Sequence, residues 1–290
     1  MLKKRVIACL VVRDGIVVQS IGFKKYLPVG KPAIAVEFLN QWGIDEIILV
    51  DITSTKEGRE PDFKMVKDLS RKCYVPLTIG GGITKAEHVS ELMHCGADKF
   101  SINKIALETP AFIKETALIY GNQCVVVSID VLKGEDGKYR VYDYTTRQAI
   151  DKEPVQWAKE VEELGAGEIF LTSVSRDGTY QGYDIELVQQ VADAVSIPVI
   201  ASGGAKSAVD FKEVLDKTKA MAASAANFFH FTEHSVVMAK TALVGKGSPV
   251  RFETHADYTE NPVDGEFRLL KKDDKTLENM LFVRIEKEVI

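Results

Sequence analysis

The sequence predicts a single (β/α)8 barrel, in which eight parallel strands close into a sheet with a helix after each strand, followed by a short C-terminal extension. Short apolar runs alternate with amphipathic stretches over residues 1–245, which is typical of a parallel sheet. Eight such units are the number that closes a barrel. The chain also repeats itself, because the interval from Glu46 to Glu168 equals that from Gly82 to Gly204. This repeat predicts two (βα)4 halves.

Each predicted strand is a short apolar run, and each predicted helix is the amphipathic stretch that follows it. The strands are expected at 5–12, 46–51, 76–79, 99–102, 124–131, 168–172, 198–201 and 220–225. The helices are expected at 33–42, 63–72, 85–94, 110–120, 154–164, 184–195, 208–217 and 234–244. Residues 246–290 form the extension. Its strand-like runs at 266–270 and 280–285 predict either a β-hairpin or a loosely ordered, solvated segment.

Composition and charge exclude several classes of function. The net charge is -5 and the sequence pI is about 5.7, whereas general nucleic-acid binding shows as a basic excess. No apolar run reaches about 18 residues, so no membrane span is expected. The basic start at 1–5 resembles a signal peptide, but charged and turn-forming residues return at 13–15 without a cleavage-type site. We therefore expect a cytoplasmic protein.

The cysteines and histidines predict neither a metal site nor a cofactor. His230 and His234 have helical i, i+4 spacing, but no third ligand is evident. The four cysteines have no C-x-x-C spacing and are expected to be buried, reduced thiols: Cys9, Cys73, Cys95 and Cys124.

Two glycine-rich loops follow predicted strands at the C-terminal ends of the strands, here named the mouth, where the chemistry of such barrels occurs. One contains Gly81 and Gly82, and the other contains Gly203 and Gly204. Glycines there let backbone N–H groups approach a phosphate, and the start of a helix adds a favourable dipole. Two symmetric loops predict a substrate with a phosphate at each end. The alternative is that the glycines only permit tight turns.

Acidic residues also lie where predicted strands end. Asp130 ends the fifth strand and is a candidate general acid or base. The equivalent place on the first strand is Val11, which carries no acid. Asp51 and Asp177 end strands or open loops as well, although the Arg-Asp-Gly-Thr sequence at 176–179 is equally a good turn.

The opposite, N-terminal face of the barrel is expected to carry two cations and two anions at strand starts, here named the charged ring: Arg5, Glu46, Lys99 and Glu168. Charges buried at such positions must pair, because removing them from water is costly. The charged ring is either a salt-bridged plug that closes the barrel or a gate.

A series of motifs runs along the barrel in order and without large gaps: VDIT at 50–53, GGGI at 80–83, GADK at 96–99, SIN at 101–103, VVSID at 126–130, RDGTYQGYD at 176–184, IASGGA at 200–205 and FHF at 229–231. With these motifs, the chain from residue 4 to about 231 resembles the cyclase subunit of imidazole glycerol phosphate synthase, a (β/α)8 barrel of histidine biosynthesis.

The resemblance implies a glutaminase partner that docks on the N-terminal face and releases ammonia. The ammonia would cross the charged ring, acting as a gate, and travel through the barrel to the mouth. Asp98 and Gln123 match positions on the partner-docking face. The positions implied to bind a phosphorylated small molecule are Gly81, Gly82, Asn103, Asp177, Gly178, Gly203, Gly204, Ala226 and Asn227.

The sequence departs from the cyclase pattern at the mouth. The family's catalytic acid on strand one is Val11 here, while its partner on strand five remains as Asp130. A positioned proton-transfer group is worth about 10²–10⁴ in rate, and valine cannot transfer a proton. Gln19 stands in place of a lysine, Lys104 in place of a small hydroxyl residue, and Asn227 in place of serine. An efficient cyclase is therefore not expected.

A branch of the family carries an aliphatic residue at the strand-one position and occurs in surface-polysaccharide pathways, with a glutaminase-like subunit and a separate sugar amidotransferase. The runs at 23–32 and 59–63 resemble that branch. The expected function is receipt and conduction of ammonia, so that an N-acetyl sugar becomes an acetamidino sugar. The alternatives are a genuine cyclase, a lyase of histidine biosynthesis, and a non-catalytic scaffold that activates the glutaminase allosterically.

Overall fold

The computed structural model of the chain describes residues 3–231, 234–244, 249–252, 254, 258 and 261–278. The strands are β1 (Arg5–Arg13), β2 (Ile16–Ile21), β3 (Lys25–Gly30), β4 (Glu46–Asp51), β5 (Leu77–Gly80), β6 (Lys99–Ile102), β7 (Val125–Lys133), β8 (Tyr139–Asp143), β9 (Gln148–Ala149), β10 (Glu168–Ser173), β11 (Val199–Ser202) and β12 (Ala222–Ala225). The helices are α1 (Pro32–Gln41), α2 (Phe63–Ser70), α3 (Ala86–His94), α4 (Lys104–Glu108), α5 (Ala111–Tyr120), α6 (Pro154–Glu163), α7 (Ile185–Ala194), α8 (Ala208–Lys217), α9 (Asn227–Phe231), α10 (Ser235–Val244) and α11 (Asp274–Glu278).

Eight parallel strands form a closed barrel in the order β1, β4, β5, β6, β7, β10, β11 and β12. β12 returns to β1, where Arg5 lies opposite Ala222 and Ala8 lies opposite Ala225. The two halves meet a second time where β6 pairs with β7, with Ser101 opposite Val126. The predicted (β/α)8 barrel is thus confirmed, and each of its predicted strands and helices is present with bounds within two residues.

Two antiparallel additions at the mouth were not predicted. β2 and β3 form a ribbon after β1, joined to it through Val12 and Val17. β8 and β9 follow β7 in the equivalent loop of the second half, with Val131 opposite Val141. Both additions extend loops at the mouth of the barrel. They therefore determine how open the mouth is.

The apolar core has two layers, as expected when helices cover a closed parallel sheet. The larger layer lies between the outer face of the sheet and the helices, and Trp157, Phe100 and Phe211 are among its most deeply buried side chains. The smaller layer fills the inside of the barrel: Ile7, Cys9, Ile48, Val126, Phe170, Ile200 and Ala222. This inner layer separates the N-terminal face from the mouth.

The described part of the extension lies against the barrel. Lys4 and Val250 form a parallel bridge at the N-terminal face, and Phe267 packs beside Met238 of α10. The strand predicted at 266–270 is present only as an isolated antiparallel bridge between Val263 and Leu269. The second predicted strand, at 280–285, lies outside the described residues. A hairpin between the two runs, and the division at residue 245, stay predictions.

No helix within the described ranges is both long and apolar enough to cross a membrane.

Candidate functional site at the mouth of the barrel

A deep pocket lies where the barrel strands end, with about 1330 Å³ of empty space including the open solvent at its entrance. Nine of the residues proposed for the mouth line it: Asn103, Asp130, Asp177, Gly81, Gly178, Gly203, Gly204, Ala226 and Asn227. Val11 lines the same pocket. The structure therefore brings together residues from both halves of the chain.

Asp130 is the acid best placed for proton transfer in this pocket. It belongs to β7, is 6% exposed, and accepts a hydrogen bond of 2.9 Å at Oδ2 from Asn103 Nδ2. Burial raises the pKa of Asp130 to about 7, the Asn103 hydrogen bond opposes that rise, and the charges of Asp177 and Asp143 add to it. A carboxyl group that titrates near neutrality can both give and take a proton.

The structure places Val11 at the mouth, so the end of the first strand carries no acid there. Its Cα lies opposite that of Val50 on β4, and both side chains border the pocket. With Cys9 they form an apolar wall on the side of β1 and β4. A hydrocarbon wall can exclude water from this side but cannot move a proton.

The other two acids that line the pocket, Asp51 and Asp177, form hydrogen bonds within the mouth loops. Asp51 accepts hydrogen bonds at Oδ1 from the backbone N–H groups of Thr53 and Ser54, and at Oδ2 from the Ser54 hydroxyl. Asp177 accepts at Oδ2 from the Ser20 hydroxyl at 2.7 Å and from the Phe23 N–H at 3.3 Å. These contacts fix the two carboxylates in place and leave Asp130 as the acid free of such turn contacts.

The glycine loops have the backbone geometry that the sequence predicted, but their two halves are not equivalent. Gly81, Gly203 and Gly204 have φ of 104°, 95° and 99° and line the pocket. Gly82 has φ of 73° and donates its N–H to Thr55 Oγ1 over 2.9 Å. Gly82 therefore donates its N–H to the neighbouring loop and packs closely against it. The three pocket glycines also pack closely on backbone, since a Cβ on Gly81 would lie 2.2 Å from the Asp51 carbonyl oxygen and one on Gly204 would lie 2.2 Å from the Gly182 carbonyl oxygen.

The β2–β3 ribbon is fastened across the mouth by side chains from the second half of the barrel. Gln19 Nε2 donates to the Tyr180 hydroxyl at 2.8 Å, and Asn227 Nδ2 donates to the Ser20 carbonyl at 2.8 Å. At its tip, Phe23 makes an edge contact with Tyr142 of β8, the ring centroids lying 6.2 Å apart. The ribbon thus joins the mouth loops of both halves.

Sequence reasoning missed the aromatic lining of the pocket, which comes from Phe23, Tyr26, Tyr144 and Tyr180. Tyr26 lies on the largely exposed edge strand β3 and the other three lie in loops, where no apolar periodicity identifies an inward-facing side chain. It also missed that Lys104 Nζ would be paired, with Asp143 at 2.8 Å and Glu108 at 3.1 Å. For these two features, the one signal in the sequence was the i, i+4 spacing of Lys104 and Glu108, which favours an ion pair on a helix.

At the opposite end of the barrel, the charged ring is complete. Glu46 receives Arg5 Nη1 at 2.6 Å and Lys99 Nζ at 2.9 Å. Glu168 receives Lys99 Nζ at 3.0 Å and also Arg5 Nη2. Burial alone would lower the pKa of both cations, but the two carboxylates outweigh it and raise the pKa of each. Arg5 and Lys99 therefore stay charged, and their pairing with the two carboxylates closes the N-terminal end.

A polar strip of the barrel interior leads from the charged ring towards the mouth. Thr78 on β5 donates its hydroxyl to Glu46 Oε1 at 3.1 Å, directly above the ring. In register beyond it, Gly80 lies opposite Ser101, and both line the mouth pocket. The apolar wall of β1 and β4 lies beside this strip in the strand order. Hydroxyl-bearing residues of β7, β10 and β11 also line the mouth pocket: Ser128, Thr172 and Ser202.

Asp98 and Gln123 lie at strand starts on the N-terminal face. Asp98 Oδ2 accepts the Leu77 N–H at 2.8 Å, and Gln123 Nε2 donates to the Tyr120 carbonyl at 3.2 Å. Gln123 and Asp98 are both exposed. These positions agree with the expected face, although partner binding itself stays a prediction.

The four cysteines are all free thiols, but only Cys9 and Cys95 are buried, whereas Cys73 and Cys124 are half-buried. Cys124 was expected inside a strand and instead ends a short 3-10 turn before β7. Across the described ranges no cluster of three metal-binding side chains occurs.

The fold and the mouth define the class of protein: a (β/α)8 barrel with a ligand pocket at its C-terminal end, two glycine loops and one inward-facing acid. A family model described as "Histidine biosynthesis protein" matches residues 5–235. This chain belongs to that family.

Individual relatives agree with this assignment. A protein of Vibrio vulnificus (strain YJ016), provisionally named imidazole glycerol phosphate synthase subunit hisF2, is 43% identical over 264 residues, covering 91% of this chain and 97% of the relative. Imidazole glycerol phosphate synthase subunit HisF of Alkaliphilus metalliredigens (strain QYMF) is 44% identical, covering 84% and 96%. The HisF subunit of an Exiguobacterium species (strain ATCC BAA-1283 / AT1b) is 42% identical, covering 87% and 98%.

Proposed function

We propose that this chain is the ammonia-receiving barrel subunit of a glutamine amidotransferase complex. A glutaminase partner would dock on the N-terminal face, around Asp98 and Gln123. Three features support the proposal: similarity to subunits of imidazole glycerol phosphate synthase, the complete charged ring, and the polar strip above it. Ammonia would enter through the charged ring and leave at the mouth.

One observation carries the choice between conduction and cyclisation: Val11 borders the pocket where the cyclase pattern places its second acid. Ring closure needs proton transfers from two groups, and losing one costs about 10²–10⁴ in rate. The charged ring and the polar strip are unaffected by that substitution. We therefore infer that ammonia is passed on for amidation of an N-acetyl sugar in surface-polysaccharide biosynthesis, by a separate sugar amidotransferase.

The charged ring must rearrange for ammonia to pass, because its ion pairs fill the N-terminal end of the barrel. Lys99 is the natural moving part, since it is bound by single N–H···O contacts while Arg5 spans both carboxylates with separate nitrogens. A docked glutaminase could supply a competing contact for one of these charges. A charged ring that stays paired without the glutaminase and opens only when the glutaminase is docked would prevent loss of ammonia.

The first test measures cyclase turnover with saturating ammonium and the bisphosphate substrate of the family, comparing wild type with Val11→Asp. We expect no turnover by the wild type. Activity gained by Val11→Asp would show that the pocket still accepts the bisphosphate. Ready turnover by the wild type would overturn the conduit proposal.

A second test separates conduction from allosteric activation. In the reconstituted complex, Lys99→Met should leave glutamine hydrolysis activated while ammonia escapes to solvent and the amidated product falls. Lys114→Met, an exposed lysine on α5, is the matched control and should change neither activity. Loss of hydrolysis and product in equal proportion would favour the allosteric scaffold.

A genuine cyclase is the second candidate, and Asp130 favours it. Its pKa of about 7 is suitable for acid–base catalysis near neutral pH, and the pocket glycines retain a phosphate-compatible geometry. In this case another group would replace the missing acid. The turnover test above decides between the two candidates.

A further inference from the structure

We propose that Asp130 and Asn103 form a holding site for a single ammonium ion at the mouth end of the barrel interior. This inference rests on the proposed function, because it describes where ammonia would pause after crossing the barrel. It assigns these residues a task different from proton transfer in ring closure. The site is built from hydrogen-bond acceptors and one negative charge.

The first observation is an acceptor without a donor. Asn103 Nδ2 donates to Asp130 Oδ2 at 2.9 Å, so the amide oxygen of Asn103 points away from the carboxylate. That oxygen, Oδ1, is buried and has no hydrogen-bond partner among the described residues. A buried acceptor left in this state has lost its hydrogen bonds to water without replacement, which is unfavourable. A small donor in the pocket would remove this cost.

The second observation is the distribution of polar groups around this pair. Thr172 lies opposite Asp130 in register, and Ser202 lies opposite Thr172. Both hydroxyls line the pocket together with those of Ser101 and Ser128. Hydroxyl groups rotate and can accept from a donor at several positions. Ammonium donates four hydrogen bonds, so an acceptor-rich site of this kind suits it.

The third observation is the charge balance. Lys56 and Lys104 border the same pocket, and the ammonium group of Lys104 is paired with Asp143 and Glu108. Among the described residues, no cation contributes to the environment of the Asp130 carboxyl group, whereas Asp177 and Asp143 add negative potential. Val11 brings no second acid to the end of β1, and Asp51 and Asp177 are held by loop hydrogen bonds. Among the described acids that line the pocket, Asp130 is therefore the carboxylate left for a single cation to neutralise. A buried charge of this kind favours a counter-ion.

The capture step is a balanced proton transfer. Ammonia arriving at protonated Asp130 takes the carboxyl proton: the O–H bond breaks, an N–H bond forms, and an ammonium–carboxylate pair results. Ammonia is the stronger base in water, so the transfer runs in this direction. Return of the proton to Asp130 releases neutral ammonia for amidation. No electron, oxidant or additional reactant takes part.

The test uses the full chain alone, labelled with ¹³C at aspartate carboxyl groups. The pKa of Asp130 is followed by NMR at constant ionic strength in ammonium chloride, potassium chloride or sodium chloride. Specific binding to the ionised carboxylate should lower the apparent pKa by about one unit at an ammonium concentration tenfold above Kd. We expect that shift with ammonium and not with sodium. Equal shifts with all three salts would overturn the site.

Two variants locate the ion. Asn103→Leu removes the orphaned acceptor and should abolish at least half of the ammonium-dependent shift, and Asn103→Ser should keep part of it. Asn40→Leu, at the N-terminal end of the molecule, is the control and should retain the full shift. An unchanged shift in both Asn103 variants would show that ammonium does not bind at this pair.

The result of the ammonium titration does not depend on whether the barrel conducts ammonia. Because ammonium is added directly to the mouth, neither the glutaminase nor the charged ring is needed for the shift. A specific shift together with failed ammonia transfer would retain the holding site and reject conduction. Intact transfer with no specific shift would retain conduction and reject the holding site.

Discussion

Gln19 Nε2 donates a hydrogen bond of 2.8 Å to the hydroxyl of Tyr180, and this contact joins the β2–β3 ribbon to the loop after β10. Gln19 is 9% exposed, so the bond is sheltered from water. Tyr180 has φ of 57°, a conformation that non-glycine residues adopt only with support. The pair therefore holds both the ribbon and a strained loop residue in position over the pocket.

We predict that Gln19→Ala loosens the ribbon without unfolding the barrel. A net hydrogen bond is worth about 1 kcal/mol, so amide hydrogen exchange in residues 16–30 should become about fivefold faster. Gln123→Ala, which removes a local hydrogen bond on the opposite face, should leave that segment unchanged. Equal exchange in all three proteins would mean that the Tyr180 contact does not restrain the ribbon.

The stability of the barrel should depend strongly on Lys240. Its side chain is fully buried on α10, and Nζ donates to Asp45 Oδ1 at 2.6 Å and to the Gly43 carbonyl. Lys240→Met leaves Asp45 buried beside an apolar group, and breaking a buried pair in this way costs about 3–5 kcal/mol. Urea unfolding should show a lower midpoint with an unchanged m-value.

The matched control for Lys240 is Lys217→Met, because Lys217 forms an exposed i, i+4 pair with Glu213. That variant should change the free energy of unfolding by less than about 1 kcal/mol. Adding Asp45→Asn to Lys240→Met should recover part of the loss, since the amide oxygen can still accept the Val6 N–H. A double variant less stable than Lys240→Met would contradict this account.

A methyl group at Gly82 should cost more than one at Gly58, although both have positive φ. A Cβ on Gly82, at φ of 73°, would lie 2.8 Å from Pro61 N and 2.9 Å from the Arg59 carbonyl oxygen. A Cβ on Gly58, at φ of 65°, meets no atom within 4 Å. Backbone strain costs about 1–3 kcal/mol at either site. The clash with backbone adds to it only at Gly82.

Differential scanning calorimetry of Gly82→Ala and Gly58→Ala measures this difference directly. The Gly82→Ala protein should have the lower Tm, by several degrees for each additional 1 kcal/mol. Equal Tm values would indicate that the 59–61 loop moves aside freely and that Gly82 is needed only for its conformation.

The stability of the protein should fall as pH rises through the titration of Asp130. Its pKa is raised by burial from 3.8 to about 7, so between these values the folded state binds the proton that the unfolded state has lost. By linkage, the free energy of unfolding then decreases with increasing pH. Asp130→Asn removes this term and should gain stability relative to wild type at pH 8, by roughly 2–4 kcal/mol.

The comparison at pH 4 provides the baseline for that experiment. There the carboxyl group is protonated in the folded protein, so wild type and Asp130→Asn should differ little in chemical denaturation. A difference between the two proteins that is constant from pH 4 to pH 8 would show that Asp130 titrates at an ordinary value. A difference in the free energy of unfolding that widens with pH supports a buried Asp130 carboxyl group that keeps its proton above its usual pKa.

The barrel could be predicted because its strands and helices carry periodic apolar patterns. The repeat that pairs Glu46 with Glu168 placed both anions of the charged ring at equivalent strand starts, and the structure joins them through Arg5 and Lys99. The absence of an acid at Val11 could also be predicted, because comparison of the first strand with the equivalent fifth strand sets Val11 against Asp130. These features depend on local order in the chain.

The ribbon and the aromatic lining could not be predicted, because they do not follow a local periodic pattern of this kind. The turn at Asp14 and Gly15 is readable, but the segment after it has an irregular pattern, and its edge strand β3 is largely exposed. The contacts that fasten it, such as Asn227 with the Ser20 carbonyl, join residues from opposite ends of the sequence. No local pattern specifies such partners, and Gly82 shows the same limit, because its N–H is taken by Thr55.

The seam between β1 and β12 has a consequence for biosynthesis. The first strand of the barrel obtains one of its two lateral partners only when the last strand, with Ala222 and Ala225, has been made. During translation β1 can pair with β4 but presents an open edge on its other side, and open edges recruit foreign strands. Slow synthesis of the second half should therefore increase aggregation on the ribosome, and early binding of a chaperone to residues 5–13 should reduce it.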